Sequence, residues 1–136
     1  MPLNPGSPAQ WMQYAQSDLR LAHTGTHPDV LYETLCFHLQ QAAEKAIKAV
    51  LIAYQIPAPK AHNIDVLIGL LPATLLKPSV IVEATSLSDY AVVTRYPGEA
   101  DPVTEDEYLT ALQIADATVL WAESVISHLN SESQAE

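Results

Sequence analysis

Residues 31–53 have the sequence LYETLCFHLQQAAEKAIKAVLIA, and this stretch decides the fold. Its apolar side chains recur every three or four residues, and the stripe consists of Leu31, Leu35, Leu39, Ala42, Ala46, Val50 and Ala53. That spacing is typical of an α-helix with one face toward a core. The preceding Pro28 and the following segment Ile56-Pro57-Ala58-Pro59 predict that this helix spans residues 28–55.

Proline, glycine and capping residues predict four further helices, at residues 8–23, 64–71, 80–95 and 105–129. Two capping boxes, Ser7 with Gln10 and Thr104 with Glu107, mark helix starts. Asn63 and Ser79 are the other candidate N-caps. We expect one all-α domain over residues 1–136, an antiparallel up-and-down bundle of four to five helices. Its core should span residues 8–128, and residues 130–136 should form a frayed polar tail.

Charge limits the functions that this chain can have. Six Lys and Arg residues face sixteen Asp and Glu residues, so the formal net charge is −10. Proteins that bind nucleic acid through its backbone carry a basic stripe, which this sequence lacks. The sequence therefore argues against bulk nucleic-acid affinity. It does not exclude a small basic pocket, because the basic residues concentrate in the middle of the chain.

Composition and motifs also bear on location, metals and cofactors. The first residues, MPLNPGSPAQW, lack a secretory signal, and no uninterrupted strongly apolar run approaches the ~20 residues of a membrane span. The single Cys36 excludes an internal disulfide and suits a reducing compartment. His23 and His27 flank Gly25, which places them in a turn rather than on a helix as a zinc pair. We expect a cytoplasmic protein with no membrane attachment, metal or cofactor.

Two polar features are candidates for function. The first is the flank of the long helix, with His38, Gln41, Lys45 and Lys48 at helical spacing. It is either a solvated face, with Glu44 and Lys48 as an i,i+4 pair, or a polar groove that faces a neighbouring helix or subunit. The second is Arg95-Tyr96-Pro97-Gly98 at the predicted end of the fourth helix. Arg95 would either satisfy the last helical carbonyls or present its planar guanidinium to a phosphate or carboxylate.

The run Cys36-Phe37-His38-Leu39-Gln40-Gln41-Ala42-Ala43-Glu44-Lys45-Ala46-Ile47-Lys48-Ala49, with the later His62-Asn63-Ile64, Asp89-Tyr90 and Arg95-Tyr96-Pro97, resembles the HEPN domain. This resemblance implies an antiparallel helical bundle that dimerises and often pairs with a small nucleotidyltransferase in a two-gene toxin–antitoxin module. It also implies that many relatives are metal-independent ribonucleases, in which a histidine follows an arginine after four to six residues. Arg95 matches the arginine, but the corresponding later positions hold Ala100, Asp101 and Pro102. The incomplete motif argues against ribonuclease activity.

Three hypotheses follow from the sequence. In the first, the chain is a dimeric nucleotide- or partner-binding module, in which Arg95 holds phosphate, Tyr96 borders the site, and His38, Gln41 and Lys45 line the groove. In the second, it is an RNA-cleaving toxin in which His38 or Asp101 replaces the missing histidine. In the third, it is a non-catalytic dimeric scaffold. The expected dimer interface includes Tyr90, Val92 and Val93 on the fourth helix.

Overall fold

The computed structural model describes residues 6–24, 27–91 and 101–135, with side chains as far as residue 132. Its helices are α1 (Pro8–Thr24), α2 (Tyr32–Ala53), α3 (Ile64–Gly69), α4 (Ser79–Glu83), the 3₁₀ helix η1 (Ala84–Tyr90) and α5 (Glu105–Ala135). Over these described ranges the chain forms no strand. The prediction of an all-α bundle is confirmed.

α2 is the central helix, because both α1 and α5 pack along it. Lys48 lies over the ring of Trp11, whereas His38 contacts Asp18, so α1 and α2 are antiparallel. α1 is also antiparallel to α5, since the Tyr108 hydroxyl donates to the carbonyl oxygen of Ala22 near the end of α1. α2 and α5 consequently run in the same direction. The chain returns between them through the segment that contains α3, α4 and η1.

The central position of α2 explains its burial on nearly all sides. Most of the predicted stripe is buried, but Leu31 is exposed because it precedes the first turn of the helix. The buried apolar residues of α2 are Leu35, Cys36, Leu39, Ala42, Ala43, Ala46, Ile47, Ala49, Val50 and Leu51. Three polar residues of α2, Gln40, Glu44 and Lys48, are buried with them. A helix enclosed in this way has no solvated flank along its central turns.

The two predicted capping boxes are present. The Ser7 hydroxyl accepts from the Gln10 backbone N–H at 3.2 Å, and the Gln10 side chain accepts from the Ser7 N–H at 3.0 Å. At the start of α5, the Thr104 hydroxyl accepts from the Glu107 N–H at 3.1 Å. Each contact satisfies a backbone donor that the first helical turn leaves unpaired.

The predicted start of α2 is wrong, whereas its predicted end lies close to the observed end. Residues 28–30 form a turn, in which the Val30 N–H donates to the His27 carbonyl at 2.9 Å, so the helix begins at Tyr32 rather than at Pro28. At the other end, Gln55 adopts a positive φ of 62°. The Ile56 N–H then donates to the Leu51 carbonyl at 2.9 Å, which is the Schellman pattern with glutamine in place of glycine.

The predicted helix over residues 80–95 is partly wrong. The α-helical hydrogen bonding ends at Glu83, and the chain tightens into η1, where Ser86 donates its hydroxyl to the Glu83 carbonyl at 2.8 Å. Hydroxyl side chains that bond to nearby backbone groups compete with regular helix. Residues 92–95 lie outside the described residues.

The two other predicted N-caps are also corrected. Asn63 occupies the N-cap position of α3 without a side-chain capping bond, and the Ser88 hydroxyl from η1 instead accepts from the Ile64 N–H at 2.9 Å. The N-cap of α4 is Pro78, and Ser79 is its first helical residue.

α5 is longer than predicted. It continues to Ala135 through the residues for which a frayed tail was expected. Over Glu105–Glu132 this helix is long and apolar enough to cross a membrane by length and composition alone, and 33% of its most apolar window is buried. The core helix of a soluble protein meets the same criteria, and α5 packs on α2, so this is weak evidence for a membrane span.

Candidate functional site

The predicted polar flank of α2 divides into two clusters. In the first, Asp18 from α1 contacts His38 and Lys45 from α2. One carboxylate oxygen lies 3.0 Å from His38 Nδ1, and the other lies 2.6 Å from Lys45 Nζ. The Lys45 ammonium also lies 5.9 Å from the centre of the Tyr14 ring. This face of α2 is therefore directed at a neighbouring helix, as one of the two interpretations of the sequence predicted.

The second cluster consists of Gln40, Glu44 and Lys48 on α2 and His62 from the loop before α3. Lys48 Nζ donates to Glu44 Oε2 at 2.9 Å, and Gln40 Nε2 donates to Glu44 Oε1 at 3.0 Å. His62 Nδ1 lies 3.1 Å from the same Oε1 atom. The Gln40 amide also donates to the His62 carbonyl at 3.2 Å, so it holds the loop as well as the carboxylate.

Burial and charge together set the state of Glu44. Burial alone would raise the pKa of its carboxyl group, but hydrogen bonds from Lys48 and Gln40, the charge of Lys48 and the contact with His62 lower that pKa below its ordinary value. The side chains of Glu44 and Lys48 are only 3% and 7% exposed. The predicted i,i+4 pair is present, but the prediction that it is solvated is wrong.

An aromatic ring, that of Trp11, packs on the lysine of this cluster. The Lys48 ammonium lies 5.5 Å from the centre of the Trp11 ring, a cation–π arrangement that helps to accommodate a buried charge. Gly6, at a φ of 112°, packs so closely on the indole that an added Cβ would lie 2.2 Å from Trp11 Nε1. Only glycine fits this position, because both the backbone angle and the space exclude a side chain. Within the described part of the chain, Trp11 Nε1 is buried without a hydrogen-bond partner.

The other residues predicted for the site are less connected. Gln41 Nε2 donates to Gln40 Oε1 at 2.7 Å, so it contacts the second cluster. Asp101 is exposed in the segment before α5. Arg95 and Tyr96 lie outside the described residues. Of the six predicted site residues, the described structure thus brings together His38, Gln41 and Lys45 along one helix.

Comparison with known proteins decides the family. The family model of the HEPN domain matches residues 9–125. The chain belongs to the HEPN family. The crystal structure of TT1696 from Thermus thermophilus is similar to this HEPN domain, with a TM-score of 0.75 and 31% identity over 87% of this chain and 97% of that chain. The crystal structure of ST0689, an archaeal HEPN homologue, gives a TM-score of 0.67 and 26% identity over 89% of this chain and 98% of that one. No curated protein matches the chain.

Sequence reasoning missed Gln40, Glu44 and His62 as members of a polar cluster in this HEPN domain. The signal for the first two was present, because Gln40, Glu44 and Lys48 follow one another at four-residue intervals. The signal was misinterpreted, because spacing along α2 does not show that Trp11 from α1 and His62 from the loop before α3 cover that row. No local pattern pairs His62 with a residue 18 positions earlier.

Few cations of the described HEPN structure are free to meet a ligand. Lys45 and Lys48 are held in ion pairs, and Lys77 donates to the carbonyl oxygens of Pro72 and Leu75. Arg20 and Lys60 are exposed, and neither forms an ion pair within the described ranges. Across these ranges no group of three His, Cys, Asp or Glu side chains could hold a metal ion.

A groove separates α1 from α5 on another face of the HEPN domain. It has a volume of about 680 Å³ and contains the exposed Arg20. Two contacts bridge the helices here, His23 Nε2 to Asp116 Oδ1 at 2.7 Å and Gln16 Nε2 to Glu123 Oε1 at 2.7 Å. The acidic groups of this groove are thus engaged within the bundle.

Proposed function

We propose that this HEPN domain is a nucleotide- or partner-binding module that accompanies a small nucleotidyltransferase in a two-gene toxin–antitoxin-type system. The family match over residues 9–125 supports the module. In this proposal Arg95 holds a phosphate group, and Tyr96 borders the sugar or base. A planar, permanently charged guanidinium suits phosphate better than the lysines of α2, which are already paired. The proposed location remains the cytoplasm.

The contact of His38 with Asp18 is the observation that favours a binding module over a ribonuclease. Its Nδ1 atom faces Asp18 at 3.0 Å, in the cluster that joins α1 to α2. A group that helps to fix two helices is a poor substitute for the missing catalytic histidine. Asp101, the other sequence candidate, is exposed, and a solvated carboxylate is a weak base at neutral pH.

This proposal gives a different role from the one that the sequence suggested to His38, Gln41 and Lys45. They order the α1–α2 face rather than contact the phosphate. Lys45 would have to leave Asp18, at 2.6 Å, before it could bind a ligand phosphate. The net charge of −10 makes that exchange unfavourable for an anionic ligand.

Nucleotide titration tests the binding part of the proposal. Calorimetry with AMP and ATP should detect binding to the wild-type chain, and Arg95→Ala should weaken it at least about tenfold because charge-assisted contacts are the strong ones. Arg20→Ala is the matched control, since Arg20 is an exposed arginine in the groove between α1 and α5. Equal loss in both variants would indicate a general charge effect, and no binding to the wild-type chain would refute nucleotide binding.

Partner binding needs its own measurement. The nucleotidyltransferase encoded beside this chain should form a complex with it that survives gel filtration at micromolar concentration. Absence of such a gene, or failure of its product to bind, would contradict the partner part of the proposal while leaving the nucleotide titration to stand on its own.

A further inference from the structure

The groove between α1 and α5 runs along most of α1. Each of these helices packs along α2 far more extensively than on the other, so the seam between them is left open. Two cavities, of about 680 and 510 Å³, follow this seam and share the bridging pair Gln16 and Glu123. One wall lies on α1 over residues 9–24, and the other lies on α5 over residues 116–131. At a rise of about 1.5 Å per residue, each wall is about 22 Å long, which is enough to receive another helix lengthwise.

The two walls carry opposite charges. The titratable side chains of the α1 wall are Arg20 and His23, whereas those of the α5 wall are Asp116 and Glu123. His23 and Asp116 contact each other at 2.7 Å across the groove. Arg20 is exposed and forms no ion pair within the described ranges. Glu123 accepts at Oε1 from the neutral amide of Gln16, so it keeps its charge and can accept at its second oxygen.

Leu120 adds an apolar group to the middle of the groove. Its side chain is 65% exposed, and it lies beside the partly buried Leu19 from the opposite wall. A single exposed leucine is ordinary on a protein surface, but this one lies in a groove that a helix can fill. An occupant that covers Leu120 would remove apolar surface from water and would be stabilised by that burial.

A second copy of this chain is the occupant whose charges match both walls. In a two-fold arrangement, the same surface of each copy forms the contact. An axis parallel to the helices places the α1 wall of one copy on the α5 wall of the other. Cationic wall then meets anionic wall twice, and all neighbouring helices are antiparallel, as in an up-and-down four-helix bundle. A uniformly basic or acidic partner helix would instead face like charge on one of the two walls.

The contacts within one copy set the level of each residue along this assembly. His23 is level with Asp116, and Gln16 is level with Glu123. Arg20 therefore lies level with the part of α5 between those two acids. A rotation about an axis along the helices keeps these levels. Arg20 of one copy then lies about 6 Å along the axis from Glu123 of the other, roughly one helical turn, which an arginine side chain can span.

We propose that the groove between α1 and α5 is a self-association surface. Two copies dock there about a two-fold axis parallel to the helices, with reciprocal ion pairs between Arg20 and the partner's Glu123 and with Leu120 at the centre. The walls offer fewer residues than the roughly 20–30 per side of a standard interface, so the association should be weak, with a Kd on the order of 100 μM.

This surface is separate from the dimer interface that the sequence predicts around Tyr90. The Tyr90 hydroxyl donates to Glu107 in the first turn of α5, whereas the groove begins at Asp116 and continues toward the other end of that helix. The two contacts together would assemble dimers into a tetramer. The self-association surface does not depend on the proposed binding of a nucleotide or a nucleotidyltransferase.

Sedimentation equilibrium tests self-association at about 0.15 M salt, where the screening length of about 8 Å suppresses repulsion between distant charges. The average mass of the wild-type chain should rise as its concentration is raised to about 500 μM, toward twice the mass measured at low concentration. This rise is expected whether the species at low concentration is a monomer or a dimer. A constant mass over this range would overturn the proposal and would leave the groove to a different protein or to no partner.

Charge reversal tests the arrangement of the two copies. Arg20→Glu places carboxylates opposite each other and Glu123→Arg places arginines opposite each other, so each variant alone should associate at least about tenfold more weakly. An equimolar mixture of the two should associate about as tightly as the wild type, because one copy of each restores both ion pairs. Lys60→Glu makes the same charge change at an exposed site outside the groove, and it should associate like the wild type.

Each result supports or contradicts the proposal. If the single reversals associate like the wild type, or if Lys60→Glu weakens association equally, the assignment to the groove is wrong. If the mixture fails while circular dichroism shows native helix content in both variants, Arg20 does not meet Glu123 and the two-fold arrangement is wrong. Leu120→Asp should abolish association, whereas Leu70→Asp, at a leucine that is 41% exposed beside α3, should not. The same effect in both leucine variants would contradict the central position of Leu120.

Discussion

Replacement of Lys48 by methionine should destabilise the domain strongly, because it leaves the carboxylate of Glu44 buried without its ammonium partner. Glu44 Oε2 accepts from Lys48 at 2.9 Å, and both side chains are nearly inaccessible. Methionine keeps most of the aliphatic volume of lysine, so the loss is mainly electrostatic. Breaking one partner of a buried pair costs about 3–5 kcal/mol. A domain of this size has a free energy of unfolding of about 5–15 kcal/mol, so the variant should be marginally stable.

Urea unfolding followed by circular dichroism measures this loss. With an m-value of about 2 kcal/mol/M, the midpoint of Lys48→Met should fall by about 2 M. Lys60→Met is the control, because Lys60 is exposed, and its free energy of unfolding should change by less than about 0.5 kcal/mol. The double variant Glu44→Gln/Lys48→Met should recover most of the loss, because it removes the stranded charge and keeps an acceptor for Gln40. A loss below about 1 kcal/mol in Lys48→Met would show that water solvates the pair.

The difference in free energy of unfolding between wild type and Lys48→Met should also depend on pH, with a defined sign. Because the pKa of Glu44 is lowered on folding, its ionised form stabilises the native state above the ordinary value of 4.5. This contribution is lost as the pH falls through the lower, folded pKa. The gap in stability between wild type and Lys48→Met should therefore be widest near neutrality and should narrow as the pH falls, because protonation of Glu44 removes the stranded charge from the variant and then the ion pair from the wild type. A gap that stays constant down to about pH 3 would contradict the role assigned to the carboxylate.

Three further predictions concern assembly and function. Light scattering at micromolar concentration should give about twice the chain mass of 14.8 kDa, because an apolar face that includes Tyr90 is expected to form a dimer interface. A species of 14.8 kDa alone would refute this prediction. Arg95→Ala should change the free energy of unfolding by less than about 1 kcal/mol while it weakens phosphate binding, and an unfolded variant would show that Arg95 is structural. The purified chain should not cleave RNA at a useful rate, because an arginine cannot transfer protons at neutral pH. Robust cleavage that Arg95→Ala abolishes would overturn that expectation, and parallel loss in either His38→Ala or His62→Ala would identify the base.

The sequence predicts the long helices because their signals are local. The capping boxes at Ser7 and Thr104 mark the starts of α1 and α5, and the apolar stripe of α2 fixes its inward face. The errors occur where tertiary contacts replace local ones. The N-terminus of α3 is capped by Ser88, which lies 24 residues later in the chain, and no sequence pattern near Asn63 reveals that partner.

The candidate site could be predicted only in part, for the same reason. The row His38, Gln41, Lys45 and Lys48 is visible as helical spacing, but spacing does not say which side of a central helix is covered. Asp18 on α1 and His62 in the loop after α2 decide that, and both are distant in sequence from the groups they contact. The state of Glu44 depends on its burial and on several surrounding groups at once, so it follows from the assembled structure rather than from any one motif.

The enclosure of α2 has a consequence for how the chain folds during synthesis. α1 and α2 are neighbours in sequence and can pair as a helical hairpin soon after they leave the ribosome. The face of α2 that meets α5 has no cover until residues beyond 105 have been made, roughly 50 residues after α2 is complete. During that interval the nascent chain exposes apolar surface of α2 to the cell. Chaperone binding to ribosome-bound chains should therefore peak after α2 emerges and should decline when α5 docks and the Tyr108 hydroxyl reaches the Ala22 carbonyl.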